Sequence, residues 1–486
     1  MDTDLFFARR LGYGLRTDEK LPAPAREWAL DQLRTIPPYG FVDATGKDIA
    51  ASVPDYGQLY ATFESGAHAY ELGHVAQDHV TPLAKKLPQV DYERKFNLEV
   101  SLPYWVGPAW GECLAMTLTA AHGSAGVFER FWAFWSNHFT VSTQILELGV
   151  FWGPHLRTIR QRMTGNFADL LYDAVANPAM LMYLNNNESF GPHSRKGRDP
   201  QNPFHDLNEN LARELLELHS VSPAAGYTQA DVTATARLLT GWTFRAGTTI
   251  EGRGKDIYGV FFDADRHEPG AVTIMGKTYT PQGDGSGMLR ELVDDLAAHP
   301  ATAHHIAFKL ARAFVADYPS DDVVGRIEKT FVDTKGDLVA VHSAVVEEVL
   351  SAGPQPAKVA APLTWLAQAY RLTGATVPIG GADGAGGSES VQLVCRELGQ
   401  EPNMCPQPNG FSELNADWLS KQMIDRRVRQ AYRIGLSTRL LSVEALTDYT
   451  ARLAGTDSPL VALVQHAESR PVAIAMLLSS PQFLKI

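Results

Sequence analysis

The sequence predicts an all-α protein, mainly helical and built of many helices, with one small β-hairpin insert around residues 243–282. Three observations predict this class. From about 109 to 185, apolar residues recur at i, i+3 and i+4 through the segments 112–121, 126–137, 153–163 and 167–176, the mark of helices buried on one side. The linkers between them are short and carry Gly or Pro. One stretch, 257–262 with 272–275 and 277–279, has the β-branched and aromatic content of strands, and the Met275-Gly276 step predicts a tight turn between two of them.

The remaining elements follow in chain order. Residues 1–35 read as two short helices: Phe6, Phe7, Leu11 and Tyr13 have helical spacing, Gly12 and Gly14 end the first, and Pro22-Ala23-Pro24 precedes the second. Residues 36–60 read as loop and 61–100 as a strongly polar helical stretch. Asn177-Pro178 starts a helix, because proline is tolerated at the first helical position. A long polar loop, 185–206, carries Gly191-Pro192 and the basic run 193–198; loops longer than about 12 residues tend to be functional or disordered. Residues 208–219 read as one helix. Thr228 reads as the N-cap of the next, with Asp231 closing a capping box, and Gly241-Trp242 as its end. Helices resume over 287–352 and 359–371. The glycine-rich stretch 373–389 reads as a linker or loop between a main helical domain, 1–372, and a C-terminal helical segment, 390–486, that packs on it. The chain shows no 20–50-residue period, which excludes a solenoid.

Composition narrows the function classes. The chain has 486 residues, 45% hydrophobic and 20% charged, as expected for a soluble globular protein. A net charge of -12 argues against nucleic-acid binding, which needs a basic surface, and against an anionic membrane. No stretch approaches the roughly 18 to 20 apolar residues of a membrane span. The N-terminal residues lack the pattern of a secretory signal, so the cytoplasm is the default location. Of the three cysteines, Cys113, Cys395 and Cys405, one must stay unpaired within the chain, and the spacing of the last two permits a bridge.

Three histidine-bearing stretches stand out. The first is 208–219. At about 100° per residue, Leu211, Leu215 and Leu218 form a narrow apolar stripe, Asn210, Arg213, Glu214 and Glu217 the opposite arc, and Asn208 and His219 a third side. An ordinary surface helix would carry Lys and Glu paired at i,i+4 instead. The second is 132–139, an aromatic-rich helix end with Asn137-His138. The third is 261–268, a strand end running into Asp263, Asp265 and His267.

Joined in one pocket, these residues predict metal chemistry. His138, His219 and His267 are the expected ligands of zinc, iron or copper, metals that accept imidazole without thiolate. Asp263 and Asp265 would orient an imidazole from behind. Glu214 or Glu217 would act as general base, and Arg213 would hold an anionic group. Asn137, Asn208, Asn210, Arg195 and Arg198 are the expected substrate contacts. The structural alternative is that each histidine caps or bridges helices, and that Glu214 pairs with Arg213, Arg195 or Arg198 in a buried network that only fixes packing. The chain has no His-Glu-x-x-His and no pair of Glu-x-x-His motifs of the di-iron bundle type. His304-His305 with Lys309 and Arg312 reads as a partly solvated helix with a structural role, and Trp132 and Trp135 read as core. The run 283–287 is glycine-rich but lacks the lysine of a phosphate loop.

Several of these stretches resemble the bacterial family catalogued as domain of unknown function 1800. They are 131–139, 177–186, the Asn208–His219 run, 226–232, Leu239-Thr240-Gly241-Trp242, His267-Glu268-Pro269-Gly270, and 299–303 with Lys309-Leu310. The resemblance spans about 5 to 430. It implies a helix-rich bacterial protein and a partner from the family named domain of unknown function 1501, which resembles phosphatases and sulfatases. It also implies, as the alternative location, a periplasm reached by co-export. The chain departs from the family pattern at Gln400-Glu401-Pro402 and at 406–410. The leading expectation is therefore a metal-assisted enzyme, hydrolytic or oxidative. The alternative is a non-catalytic binding or assembly partner of the phosphatase-like protein.

Overall fold

A computed structural model describes residues 2–39, 106–145, 148–244, 259–378 and 390–486. The loop and polar helix expected over 40–100, and most of the linker expected at 373–389, lie outside the described residues.

The helical periodicities become helices. Helix α1 (Thr3–Leu11) starts where the Asp2 side chain accepts the Leu5 N–H at 3.0 Å, and α2 (Ala25–Asp31) follows Pro24. Then come α3 (Val106–His122), α4 (Gly126–His138), α5 (Gly149–Arg162), α6 (Phe167–Val175) and α7 (Pro178–Tyr183). Asn177 caps α7 through Ala179 N at 3.1 Å, with Pro178 in its first turn. On α4, Phe128, Phe131, Trp132 and Trp135 are all fully buried. Each indole N–H finds an acceptor: Trp132 donates to the Leu156 carbonyl at 2.9 Å and Trp135 to His342 Nε2 at 2.8 Å.

The 208–219 stretch forms α8 (Asn210–Glu214), which widens into a π-helical turn over Leu215–His219. Next is α9 (Gln229–Leu239), opened by the Thr228–Asp231 capping box. The β insert is two antiparallel pairs. Strand β1 (Trp242–Phe244) pairs with β2 (Val260–Phe262) in the register Trp242↔Phe262, and β3 (Val272–Ile274) with β4 (Lys277–Tyr279). Met275 and Gly276 both have positive φ, as a two-residue turn between twisted strands requires. Trp242, expected to end a helix, instead begins the first strand.

Helices then run to the C-terminus: α10 (Gly287–Ala298), α11 (Pro300–Phe314), α12 (Asp321–Asp333), α13 (Leu338–Ser351), α14 (Pro362–Thr373), α15 (Val391–Glu397), α16 (Lys421–Ser437), α17 (Val443–Ala454), α18 (Pro459–Gln465), α19 (Arg470–Leu478) and α20 (Pro481–Leu484). Two apolar cores organise them. The larger gathers residues of α4–α13, including Phe131, Trp135, Leu215 and Leu310. The second gathers α14–α20 with Leu5 and Ala8 of α1 and Leu114 and Leu118 of α3. Trp365 anchors it, donating to the Leu478 carbonyl at 2.9 Å. All three cysteines are free and buried, so Cys395 and Cys405 do not bridge. Among the described residues, no helix is long and apolar enough to cross a membrane.

Candidate functional site

The π turn decides where His219 goes. A π turn inserts one extra residue into a helix and rotates everything after it. The buried residues here are Leu211, Ala212, Leu215, Leu216, His219 and Ser220, while Leu218 is half-buried. The expected Leu211/Leu215/Leu218 stripe is thus corrected: Leu216 joins the core in place of Leu218, and His219 turns from a side position into the interior. Ser220 Oγ donates to the Leu215 carbonyl at 2.5 Å, using a carbonyl near the widened turn.

In the interior, His219 meets His138 at the end of α4, with ring centroids 5.9 Å apart. His305 of α11 stands 6.4 Å from His138 on another side and contacts the Leu218 carbonyl at 3.1 Å. The central contact is between Lys309 Nζ and His138 Nδ1, at 2.8 Å. The other nitrogen of His138, Nε2, faces the His219 carbonyl at 3.4 Å. That arrangement makes the lysine the donor to Nδ1. Burial holds every imidazole of the group neutral. It pushes His138 well below its ordinary value, helped by Lys309, and lowers His219 to about 3 and His305 to about 4. Burial also lowers Lys309 to about 8; Glu413 opposes that shift and Arg312 adds to it.

Lys309 and His138 line a cavity of about 240 Å³, together with Asn137, Arg312, Asn409 and Glu413. The far wall is the segment 409–414, more than 90 residues along the chain from α11. Asn137 holds it in place: its Nδ2 donates to the Phe411 carbonyl at 2.9 Å and to Glu413 Oε1 at 3.3 Å, and its Oδ1 accepts from Phe411 N at 2.7 Å. Gly410 lies against this contact at φ +80°, where an added Cβ would come within 2.4 Å of the Asn137 carbonyl oxygen. Burial raises Glu413, against the pull of Lys358, Arg130 and Lys309. A second cavity of about 130 Å³ shares Phe134, Asn137, Phe411, Ser412 and Glu413 with the first.

The other residues expected in one pocket have different surroundings. His267 Nδ1 lies 2.8 Å from the Thr240 carbonyl, its ring 5.0 Å from Phe262, and its Nε2 has no hydrogen-bond partner among the described residues. Its neighbour Glu268 accepts from His193 Nδ1 at 2.7 Å and from His193 N at 2.9 Å. Among the described residues, no group of three His, Cys, Asp or Glu side chains is arranged to hold a metal ion. Asp265 binds Arg195, and Asp263 binds Lys196 at 2.7 Å and Arg266 at 3.2 Å. Both carboxylates therefore hold cations, correcting the expectation that they orient an imidazole. Arg198 is exposed.

On α8, Arg213 reaches Glu209 at 3.3 Å and Gln229 at 2.9 Å. Asn210 is exposed, and its N–H is accepted by Asn208 Oδ1 at 3.0 Å, so Asn208 caps the helix start. Glu217 accepts from Tyr227 Oη at 3.2 Å. Glu214 is half-buried and raised by that burial and by Glu217, with Arg213 opposing. Of the predicted residues, the structure brings together Asn137, His138 and His219. The partners that complete this group, His305, Lys309, Arg312 and Glu413, were read as structural or not singled out. A signal for three of them was present: His305, Lys309 and Arg312 are spaced i, i+4 and i+7 and share a helix face.

No curated protein and no solved structure matches the chain. A family model described as "Protein of unknown function (DUF1800)" matches residues 7–485. That span includes α8 with its π turn, the His138–Lys309 contact and the 409–414 wall alike, and the chain belongs to the DUF1800 family.

Proposed function

We propose that the chain is an enzyme acting on a small carbonyl compound, with the Lys309 amine as its reactive group. The observation that carries this reading is the 2.8 Å contact from Lys309 Nζ to His138 Nδ1 on the wall of a cavity. A lysine amine becomes a nucleophile where its surroundings disfavour the ammonium form. Burial does this here, and Arg312 adds to it. The neutral His138 ring, packed against Phe134, Trp135 and Phe139, aims the amine.

The chemistry balances within this set of residues. The free amine adds to the carbonyl carbon, and a proton moves from nitrogen to the new oxygen to give a carbinolamine. Glu413, whose acid form is favoured by burial, donates a proton to the departing hydroxyl. Water leaves and a protonated imine forms; addition of water reverses the sequence.

The test is labelling with acetaldehyde and cyanoborohydride, followed by mass mapping of every lysine. Lys309 is expected to be alkylated at least about tenfold faster than any exposed lysine, because its free-amine fraction is larger at neutral pH. Equal labelling across the lysines overturns the reading.

The metal-assisted reading has its own support in His219, whose ring lies beside His138 and whose two buried nitrogens have no hydrogen-bond partner among the described residues. It requires close to one zinc, iron or copper per chain in the purified protein. It also requires the loss of that metal in His219→Ala.

A further inference from the structure

The second cavity carries a charge that the proposed chemistry does not use. Its walls are largely apolar, formed by Met116, Phe134, Trp152, Leu156, Phe314 and Leu363. Its volume of about 130 Å³ is close to the roughly 150 Å³ of an engineered core cavity that admits benzene. Two cations reach into these walls, and they are not alike. Lys358 is satisfied, paired with Asp317 at 2.5 Å and donating to the Glu413 carbonyl. Arg130 is not. Its guanidinium donates to Thr364 Oγ1 and lies 5.9 Å from the Tyr13 ring and 5.7 Å from the Phe314 ring. Among the described residues it forms no ion pair. Glu413 acts on it at longer range, and Lys358 and Lys309 share that same carboxylate. Arg130 is half-buried, and a guanidinium beside an apolar cavity with no ion pair gains from a ligand that supplies the anion. Ser136, also on the cavity wall, has a buried hydroxyl with no hydrogen-bond partner among the described residues.

We infer that this cavity binds the carboxylate of a ring-sized or short branched organic acid. Arg130 pairs with the carboxylate, Ser136 donates a hydrogen bond to it, and the apolar walls enclose the hydrocarbon part. The side chains shared by the two cavities place the bound acid beside the Lys309 cavity. The site itself stands on Arg130 and Ser136, whatever Lys309 does.

Titration calorimetry of the full chain with benzoate, and with its neutral isostere benzamide, tests the site. Benzoate is expected to bind with a Kd of about 1 mM or tighter, and benzamide at least about tenfold more weakly, since one charge-assisted contact is lost. Arg130→Met removes the preference for benzoate, and Ser136→Ala weakens benzoate by roughly threefold. If Arg130→Met does not fold, the ratio of the two ligands on the parent protein and the Ser136→Ala variant decide. Equal affinity for benzoate and benzamide, or no binding of benzoate, overturns the inference. Specific labelling of Lys309 with no benzoate preference removes this site alone, and the reverse outcome removes the amine chemistry alone.

Discussion

Two polar regions of this molecule look alike in composition and differ in how their polar groups are satisfied. One is the weld between the 187–206 loop and the turn at 263–268. There Arg195 meets Asp265, Lys196 meets Asp263, and His193 meets Glu268. Backbone bonds run alongside, from Gly191 N to the Arg266 carbonyl and from Lys196 N to the Asp265 carbonyl, at 2.9 and 2.8 Å. The other is the wall between α4 and α11. There Lys309 has a neutral imidazole for a partner, and among the described residues the His219 ring nitrogens have no hydrogen-bond partner and Arg130 forms no ion pair. Buried polar groups in folded proteins are normally satisfied, and each exception needs a cause. The weld has spent its charges on itself, largely at the surface, where ion pairs contribute little. The α4–α11 wall holds groups without such partners beside two cavities, where a ligand would gain the most from them.

The largest expected effect separates the two regions chemically. Lys309→Met should bring acetaldehyde labelling down to the level of exposed lysines, a drop of at least about tenfold, whereas Lys196→Ala should leave the Lys309 labelling rate unchanged. Mass mapping that shows Lys196→Ala slowing Lys309 would erase the distinction.

The next effect is acid sensitivity. His155, His219 and His342 are fully buried and lowered by that burial to about 4, 3 and 3. His342 accepts the Trp135 indole N–H, which only its neutral form can do. In the unfolded chain each would titrate near 6.5. The folded values are the lower ones, so the stabilisation is complete above about 6.5 and is lost as pH falls from there toward 4. Each group contributes about 1.4 kcal/mol per pH unit, and the three together up to roughly 4 kcal/mol per unit. Urea midpoints at pH 7 and pH 5 measure it; unchanged midpoints would count against neutral burial.

Two glycines sharpen the contrast further. Gly191 packs so closely on the weld that an added Cβ would lie 2.5 Å from Glu268 Cα, and Gly410 packs equally closely on Asn137. Alanine at either should cost about 1–3 kcal/mol through overpacking, read by urea titration. Only Gly410→Ala should also blunt the preference for Lys309, because only it shifts the cavity wall. The smallest effect belongs to Arg195→Ala. This pair is exposed, so the urea midpoint should stay close to the parent's; a clear loss would mean that the weld is structural in a stronger sense than its exposure implies.

Local signals were legible in the sequence because they depend on neighbours a few residues away. The Asn177-Pro178 start, the Thr228–Asp231 capping box and the Met275-Gly276 turn all formed as read. The importance of Asn137, His138 and His219 was legible from their residue types. What failed was the step from type to face. A uniform 100° per residue cannot anticipate a π turn, whose extra residue sent His219 inward and Leu218 outward. Lys309 was visible in the same way, on one face with His305 and Arg312. Whether that face meets solvent or closes a cavity depends on where Asn409 to Glu413 fold back, and helical periodicity carries no information about that.

By itself, the sequence determined the helical class, the hairpin, most helix starts and a set of histidines too polar for their apolar surroundings. These follow from backbone hydrogen bonding and from the burial of periodic apolar faces, both short-range in the chain. Only the tertiary structure decided which polar residues are satisfied. It let Asp263, Asp265 and Glu268 neutralise the basic loop, and it left Lys309 against His138 and Arg130, among the described residues, without an ion pair. Those outcomes rest on contacts between residues far apart in sequence, and on the dielectric around each group, which exists only once the chain has packed.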